Sequence, residues 1–368
     1  MTLSILGIGT AVPKRQIAQA DAATLAASVM EAMPGHERLL AAVYRQTRIR
    51  SRGSVLLDEP GAGAYAQTFF PPVTATGPGG PTTATRMQRY AAEVGPLATT
   101  AATRAITAAG IAPHRITHLV TCSCTGFANP GIDLDLLQCL GLAPTVSRTH
   151  VGFMGCHGAF NALRVADAFG SAGPRNLSLV VCAELCTLHF QYGSRSDQIV
   201  ANSIFGDGAA ALVGAGADHD PTGAERRWVL ARQWSMVMPD STGEMSWTIG
   251  DHGFAMHLAA TVPATIGREL PTIVDAALAG AGLTRGAIRT WAVHPGGPRV
   301  LASVATALEL PLEDLAVSAG ILGDHGNMSS ATILFIMERL LRDDAPLPCL
   351  AMAFGPGLTA EFALFVRR

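Results

Sequence analysis

Apolar runs of strand length alternate with segments of helical periodicity along most of this chain, and that alternation restricts the fold more than any other feature. Leu3–Thr10, Ile116–Cys124, Leu177–Ala183, Phe205–Val213, Trp228–Trp234, Thr290–His294 and Cys349–Ala353 read as strands. Several are apolar throughout, as strands covered on both faces are. Between them, sets such as Met87, Tyr90, Val94, Leu97, Ala101 and Ile106 recur at helical spacing. The expectation is an α/β core with a mostly parallel sheet and helices on both faces. Helices are predicted over 16–46 (interrupted near Pro34-Gly35), 84–109 (kinked or broken at Gly95-Pro96), 132–140, 199–204, 262–281, 299–307 and 331–342. Met245–Met256 is predicted as a hairpin around Gly250-Asp251. Residues 60–83, rich in Gly, Pro, Thr and Ala, are expected to form a long loop. The polar, turn-rich stretch 214–226 is the best boundary, dividing the chain into 1–222 and 223–368.

A chain of 368 residues with 49% hydrophobic and 15% charged residues can bury a large core. Its net charge of −2 suggests no nucleic-acid or anionic-membrane partner. Lys14 is the only lysine and sits in a plain turn, which argues against Schiff-base or phosphate-loop lysine chemistry. Gly7-Ile-Gly9 does not continue as a dinucleotide fingerprint. The first residues read as a strand, not a signal peptide, and no apolar run reaches membrane-spanning length. Seven unevenly spaced cysteines suggest reduced thiols in a cytoplasm, and none has the spacing of a zinc site.

Within Val151-Gly-Phe-Met-Gly-Cys-His-Gly-Ala-Phe-Asn161, Cys156 falls where a Gly-rich turn becomes a helix. Unpaired N–H groups and the helix dipole favour an anion there, so the thiol is expected to ionise near neutral pH. A buried core cysteine is the alternative. Phe205-Gly-Asp-Gly and Phe354-Gly-Pro-Gly each feed an apolar strand. Each is preceded by a Gly turn that starts a helix, at Cys156 and at Gly326-Asn327. Two similar halves would bring both helix starts to one centre. His294 ends a strand before a Gly-Gly turn, a common place for catalytic groups in α/β folds. A thiolate, an imidazole and an amide that meet in space suit thioester chemistry: the sulfur accepts an acyl group, and the other two stabilise an enolate. Taken singly, His294 could be a satisfied buried histidine and Asn327 a helix cap. Arg45, Arg48, Arg50 and Arg52 crowd into eight residues, either as a solvated turn or as a site for an anionic group.

The segments Gly155-Cys156, Phe205-Gly-Asp-Gly-Ala-Ala-Ala, His294-Pro-Gly-Gly-Pro, Gly326-Asn-Met-Ser-Ser and Phe354-Gly-Pro-Gly-Leu-Thr together resemble those of the type III polyketide synthases, the chalcone and stilbene synthase superfamily. The resemblance runs from about residue 3 to 367. It implies a thiolase-like fold with two pseudo-symmetric halves in α-β-α-β-α layers, and a homodimer. It further implies that Cys156 is loaded from an acyl-CoA starter. Malonyl-CoA would be decarboxylated beside His294 and Asn327, and Claisen condensations followed by ring closure would give a pyrone or phenolic product. Coenzyme A thioesters would be substrates, with no resident cofactor or metal.

By the same resemblance Phe205 is a gate beside the cysteine, and a second gate, usually Phe, is Met256. Cys124 and Thr125 line the cyclisation pocket, and Gly297 and Ser329 contact substrate. Arg45, Arg48, Arg50 and Arg52 form the coenzyme A entrance. Asn129 takes the place of a residue that reaches the partner subunit. The wording of the Ser123–Gly126 and Trp247–His252 segments leans towards bacterial members and fatty acyl starters. Two alternatives stand beside this reading: a single-round condensing enzyme acting on carrier-protein-bound acyl chains, and a catalytically silent thiolase-fold binding protein.

Overall fold

The computed structural model describes residues 3–30, 36–58, 66–73, 79–216 and 228–367. Its frame is a nine-stranded sheet. The first half contributes β1 (Leu3–Ala11), β4 (His118–Ser123), β5 (Ser147–Gly152), β6 (Leu177–Leu185) and β7 (Asp207–Gly216). The second contributes β8 (Trp228–Val237), β11 (Thr290–Val293), β12 (Cys349–Gly355) and β13 (Thr359–Arg367). Two small ribbons stand apart: β2 (Gln16–Ala18) with β3 (Ser51–Gly53), and β9 (Met245–Gly250) with β10 (Gly253–Leu258). The sheet order is β11-β12-β13-β8-β1-β7-β6-β4-β5.

The order read outward from the centre is the same in each half. β1-β7-β6-β4 pair antiparallel, antiparallel, parallel, and so do β8-β13-β12-β11. Within the large sheet the halves pair through β1 and β8, at Leu3↔Leu230 and Ser4↔Val229. The helices Gly158–Ala172 and Ala331–Arg342 share one core with residues of both halves' strands, including Val120 and Leu212 on one side and Ala351 and Phe365 on the other. Thr83–Ala109 covers the opposite face of the first half, and Val262–Ala279 with Pro298–Leu308 covers that of the second. This is the five-layer arrangement expected of a thiolase-like fold.

The sheet is mixed, not mostly parallel: β4·β5, β4·β6 and β11·β12 are parallel and the other neighbours antiparallel. Apolar runs carry no direction, and a strand returning through a tight turn, as β13 does after β12, must be antiparallel. Gln16–Ala18 is strand where helix was expected, because it pairs with Ser51–Gly53. The helix Ala316–His325 was missed in a segment with little apolar periodicity. The interruption at Pro34-Gly35 and most of the 214–226 boundary lie outside the described residues, as do parts of the 60–83 loop.

Thr83–Ala109 runs unbroken through Pro96. Its buried Val94, Leu97, Ala98, Ala101 and Ala105 supply packing that outweighs the lost hydrogen bond. Thr82 caps its start and Gly110, at φ 65°, ends it. A Cβ at Gly7 would lie 2.5 Å from Ala109 N, and one at Gly9 2.3 Å from Ala105 N. The glycine pair in β1 therefore serves close helix-on-sheet packing. No described helix is long and apolar enough to cross a membrane.

Candidate active site

Cys156 lies in the short turn Gly155–His157 that leads into the helix Gly158–Ala172. Gly155 has φ 73°, and a Cβ there would lie 2.6 Å from Pro356 Cδ, so the turn requires glycine. His294 follows β11, its backbone N–H bonded to Met352 O at 2.8 Å. Asn327 is fixed at the backbone: its N–H donates to Ile204 O (2.8 Å) and its carbonyl accepts from Gly206 N (3.0 Å), forming a β-bridge with Phe205. Its side-chain Oδ1 accepts from Ser329 N at 2.8 Å, which aims Nδ2 at Cys156 Sγ, 3.9 Å away.

These three side chains line one chamber together with Phe205, Met256, Gly296 and an apolar wall that includes Leu258, Val262, Ile266 and Val300. All three are buried. Gly296, rather than Gly297, forms the lining beside His294. A second chamber on the other side of Cys156 is lined by Cys124, Thr125, Cys186, Trp247 and Ser329, again with Phe205 and Met256. The residues assigned to gate and cyclisation pocket thus do converge around the sulfur.

The ionised sulfur expected from sequence is not the resting state. Burial pushes the Cys156 thiol up to about 11, with hydrogen bonds from Ser329 and Asn327 pulling weakly the other way. Burial also drives His294 down to about 3. A dry chamber penalises both charges, and the helix start does not offset that. Neither ring nitrogen of His294 has a hydrogen-bond partner among the described residues, so a neutral imidazole faces the chamber with one N–H donor and one acceptor to spend.

A buried network behind Cys124 was missed in the sequence. Glu184 is fully buried and accepts from Cys124 N (3.0 Å), Thr125 Oγ1 (2.8 Å) and Ser330 Oγ. Burial raises its pKa despite these bonds. Cys124 Sγ lies 3.0 Å from Ser329 Oγ. His189 is fixed as a neutral strut: Nε2 donates to Thr125 O (2.7 Å) and Nδ1 accepts from Phe254 N (3.0 Å), and burial holds it down to about 3. Trp247 Nε1 donates to Cys124 O at 2.8 Å. The signal for Glu184 was present, as an acid inside the otherwise apolar run Leu177–Leu185.

The arginine cluster divides. Arg52 is buried, donates to the carbonyls of Asn202 (2.7 Å) and Phe205 (2.8 Å), and stacks on Tyr44. It braces the main chain at Phe205 from inside and is not exposed to meet a phosphate. Arg50 is exposed but paired with Asp324. Arg45 and Arg48 are exposed, and Arg45 lines a surface groove with Arg50. Asn129 is exposed.

A buried thiol, a neutral imidazole and an amide around one chamber of a thiolase-like fold are suited to thioester chemistry. Known proteins narrow the class. Residues 2–219 match the N-terminal domain of chalcone and stilbene synthases, and residues 229–367 match the C-terminal domain. The chain belongs to the chalcone and stilbene synthase family and is a type III polyketide synthase. It is 31% identical over 366 residues to the alpha-pyrone synthesis polyketide synthase-like Pks18 of Mycobacterium tuberculosis, covering 98% of this chain and 90% of that one. It is 33% identical over 261 residues to the 3,5-dihydroxyphenylacetyl-CoA synthase of Amycolatopsis orientalis, covering 70% of each. Among solved structures it resembles PKS-I of the brown alga Ectocarpus siliculosus, with TM-score 0.93, 29% identity, and coverage of 100% of this chain and 98% of that one. It also resembles the C-terminal type III polyketide synthase domain of Steely1 from Dictyostelium, with TM-score 0.89, 26% identity, and coverage of 100% and 99%. These findings fit the polyketide synthase reading and neither of its two alternatives.

Proposed function

We propose that Cys156, His294 and Asn327 carry the condensation, and that the product is a pyrone or resorcinol-type ring built on a fatty acyl starter. The observation behind this reading is the single chamber that joins a buried thiol, an unpartnered neutral imidazole and an amide aimed at the sulfur. As acyl-CoA enters, the imidazole takes the Cys156 proton. The thiolate attacks the acyl carbonyl, the thioester forms on sulfur, and the coenzyme A thiolate leaves with the proton. The imidazole, neutral again, then donates its N–H, with Asn327 Nδ2, to the oxygen of the enolate left when malonyl-CoA loses CO2. The enolate carbon attacks the Cys156 thioester and releases the sulfur for reloading. Two N–H donors without a fixed positive charge suit a chamber that disfavours ions.

Phe205 and Met256 form the aperture in this reading, and Cys124, Thr125 and Ser329 the wall against which the chain cyclises. Gly296 takes the contact assigned to Gly297. Arg45 and Arg48, with Arg50 if it leaves Asp324, bind coenzyme A phosphates, and no resident cofactor takes part. The pyrone is favoured by the name of the mycobacterial relative. A homodimer and a cytoplasmic setting belong to the same proposal, as does an acyl carrier protein as an optional acyl donor. Exposed Phe127 and Met154 beside the edge strand β5 support the dimer. The experiment is incubation with malonyl-CoA and acyl-CoA starters from two to sixteen carbons, read by mass spectrometry. Tri- or tetraketide rings are expected, and single-round β-keto products alone would overturn the reading.

A further inference from the structure

Phe205 and Met256, read above as the aperture, belong to different elements. Phe205 ends the helix Ser196–Ile204, and Met256 lies in β10. The helix packs against β10. Successive residues leave a strand on opposite faces, yet Met256 and His257 both meet this helix. Met256 joins the apolar cluster of Ala201, Ile204 and Phe205. His257 Nδ1 donates to Asp197 Oδ2 at 3.1 Å. Asp197, Ala201 and Phe205 follow at i, i+4 and i+8, so they share one helix face. The ribbon is therefore gripped at two points of that face, one apolar and one charged.

The rest of the ribbon is fixed elsewhere. Its tip is tied to the helix Thr83–Ala109: Thr83 N donates to Asp251 O and Gly253 N donates to Thr83 Oγ1, both at 2.8 Å. Gln191 Nε2 donates to Phe254 O (3.2 Å), and Trp247 holds β9 to Cys124 O. Beyond Phe254, the side chain of His257 reaches out of β10 to Asp197. Asp197 is a firm anchor. It lies in the first turn of its helix, where a carboxylate is favoured. It accepts from Gln198 N (3.0 Å) and from Arg195 Nε (3.1 Å) and Nη2 (2.8 Å). Arg195 above all, with His257 and Gln198, holds its carboxyl down to about 2 against the effect of burial. Its side chain is 11% exposed and that of His257 45%, so the histidine is the member that can let go.

We propose that the Asp197–His257 pair sets the width of the aperture between Phe205 and Met256, and with it the number of extensions; the proposal rests on the function argued above. With the pair closed, Met256 is pressed onto Phe205. With it open, the ribbon can roll about its apolar contact, because a flexible thioether resists little, and the passage widens. Arg195 acts by competition. It shares Asp197 Oδ2 with His257, so its removal leaves the carboxylate to the histidine. Neither Asp197 nor His257 lines the chambers at Cys156. They are positioning residues that act through Met256.

The test is the ratio of tetraketide to triketide rings that the full chain makes from hexanoyl-CoA and malonyl-CoA, read by mass spectrometry. His257→Ala is expected to raise it about two- to fivefold, the span that an exposed charged pair supports. His257→Gln keeps an N–H donor for Asp197 and should stay near the wild-type ratio. Arg195→Gln should lower the ratio. An unchanged ratio in His257→Ala overturns the proposal. So do equal ratios for the two His257 variants, or a ratio that Arg195→Gln leaves alone or moves upwards. Arg195 is 66% exposed, so its variant keeps the test open should the alanine variant not fold. Loading of Cys156 by hexanoyl-CoA separates the two failures. If the wild-type protein loads and makes rings but the ratios do not follow, only this inference falls. If no starter loads Cys156, the proposed function falls and takes the inference with it.

Discussion

The two halves of the sheet repeat one plan and fill it with different chemistry. In the first, the helix that starts at Gly158 presents Cys156 to the centre. In the second, the helix that starts at Ala331 is preceded by Asn327. The strand end that carries His294 after β11 corresponds to the end of β4, which carries Cys124 and Thr125. Where β6 ends on buried Glu184 and its hydroxyl partners, β12 ends on Phe354 in the apolar wall of the chamber. In the proposed reading the first half therefore supplies the nucleophile and Cys124 and Thr125 of the cyclisation wall. The second supplies proton handling, an apolar approach and the rest of that wall, Trp247 and Ser329 included. A duplicated scaffold can divide a reaction in this way because each helix start and strand end can vary without disturbing the strand order that positions it.

The division can be broken by substitution. Cys156→Ala should abolish the acyl adduct while malonyl-CoA still loses CO2, both followed by mass spectrometry. A surviving adduct on the intact variant refutes the assignment of the nucleophile, and loss of both activities means that the halves do not act separately. His294→Gln should slow decarboxylation by about 10²–10³-fold, typical of losing a donor to a developing oxyanion. It should also slow starter loading on Cys156, because a sulfur held protonated by burial loses the group that takes its proton. An unchanged loading rate would show that the imidazole does not serve the thiol. Asn327→Ala should impair decarboxylation about tenfold more than starter loading. Equal losses would make its role structural.

The halves also share an acid liability. His189 and His294, from opposite halves, are both held neutral with values near 3. Their folded pKa lies below the unfolded one, so their stabilising contribution is full above about pH 6.5 and is lost as pH falls towards 3. Between pH 7 and 5 each should cost about 2 kcal/mol. Asp207, raised to about 6 by burial, offsets about 1 kcal/mol of that. Urea midpoints at the two pH values test the sum, and His189→Asn should remove roughly half of the histidine effect. The smallest change is expected for Met256→Phe: shorter products by one extension or less, with little change in rate. The same product spectrum would count against Met256 as part of the aperture.

The strands, and the three side chains that meet at one chamber, were legible because their signals are local. Apolar runs bounded by glycine mark β6 and β12, and glycine turns mark Cys156 and Asn327. What sequence could not carry was anything decided by the partner across space. Strand direction in β7 and β13 depends on which neighbour receives them. Gln16–Ala18 is strand because of Ser51–Gly53. The Gly7-Ile-Gly9 pair becomes intelligible only against Ala105 and Ala109. Arg52 was grouped with three exposed arginines by proximity in the chain, yet it turns inward to the carbonyls of Asn202 and Phe205. The expected thiolate failed for a similar reason, because a helix start can be read from sequence but the dryness of the chamber around it cannot.

The backbone bridge between Phe205 and Asn327 ties door and furnace together. A change that shifts the main chain at Phe205 drags Asn327, the amide proposed to hold the enolate, with it, so under that proposal remodelling substrate choice from that side would cost turnover. Met256 hangs on a separate ribbon with no such tether to the amide, and it offers the safer handle for redesign.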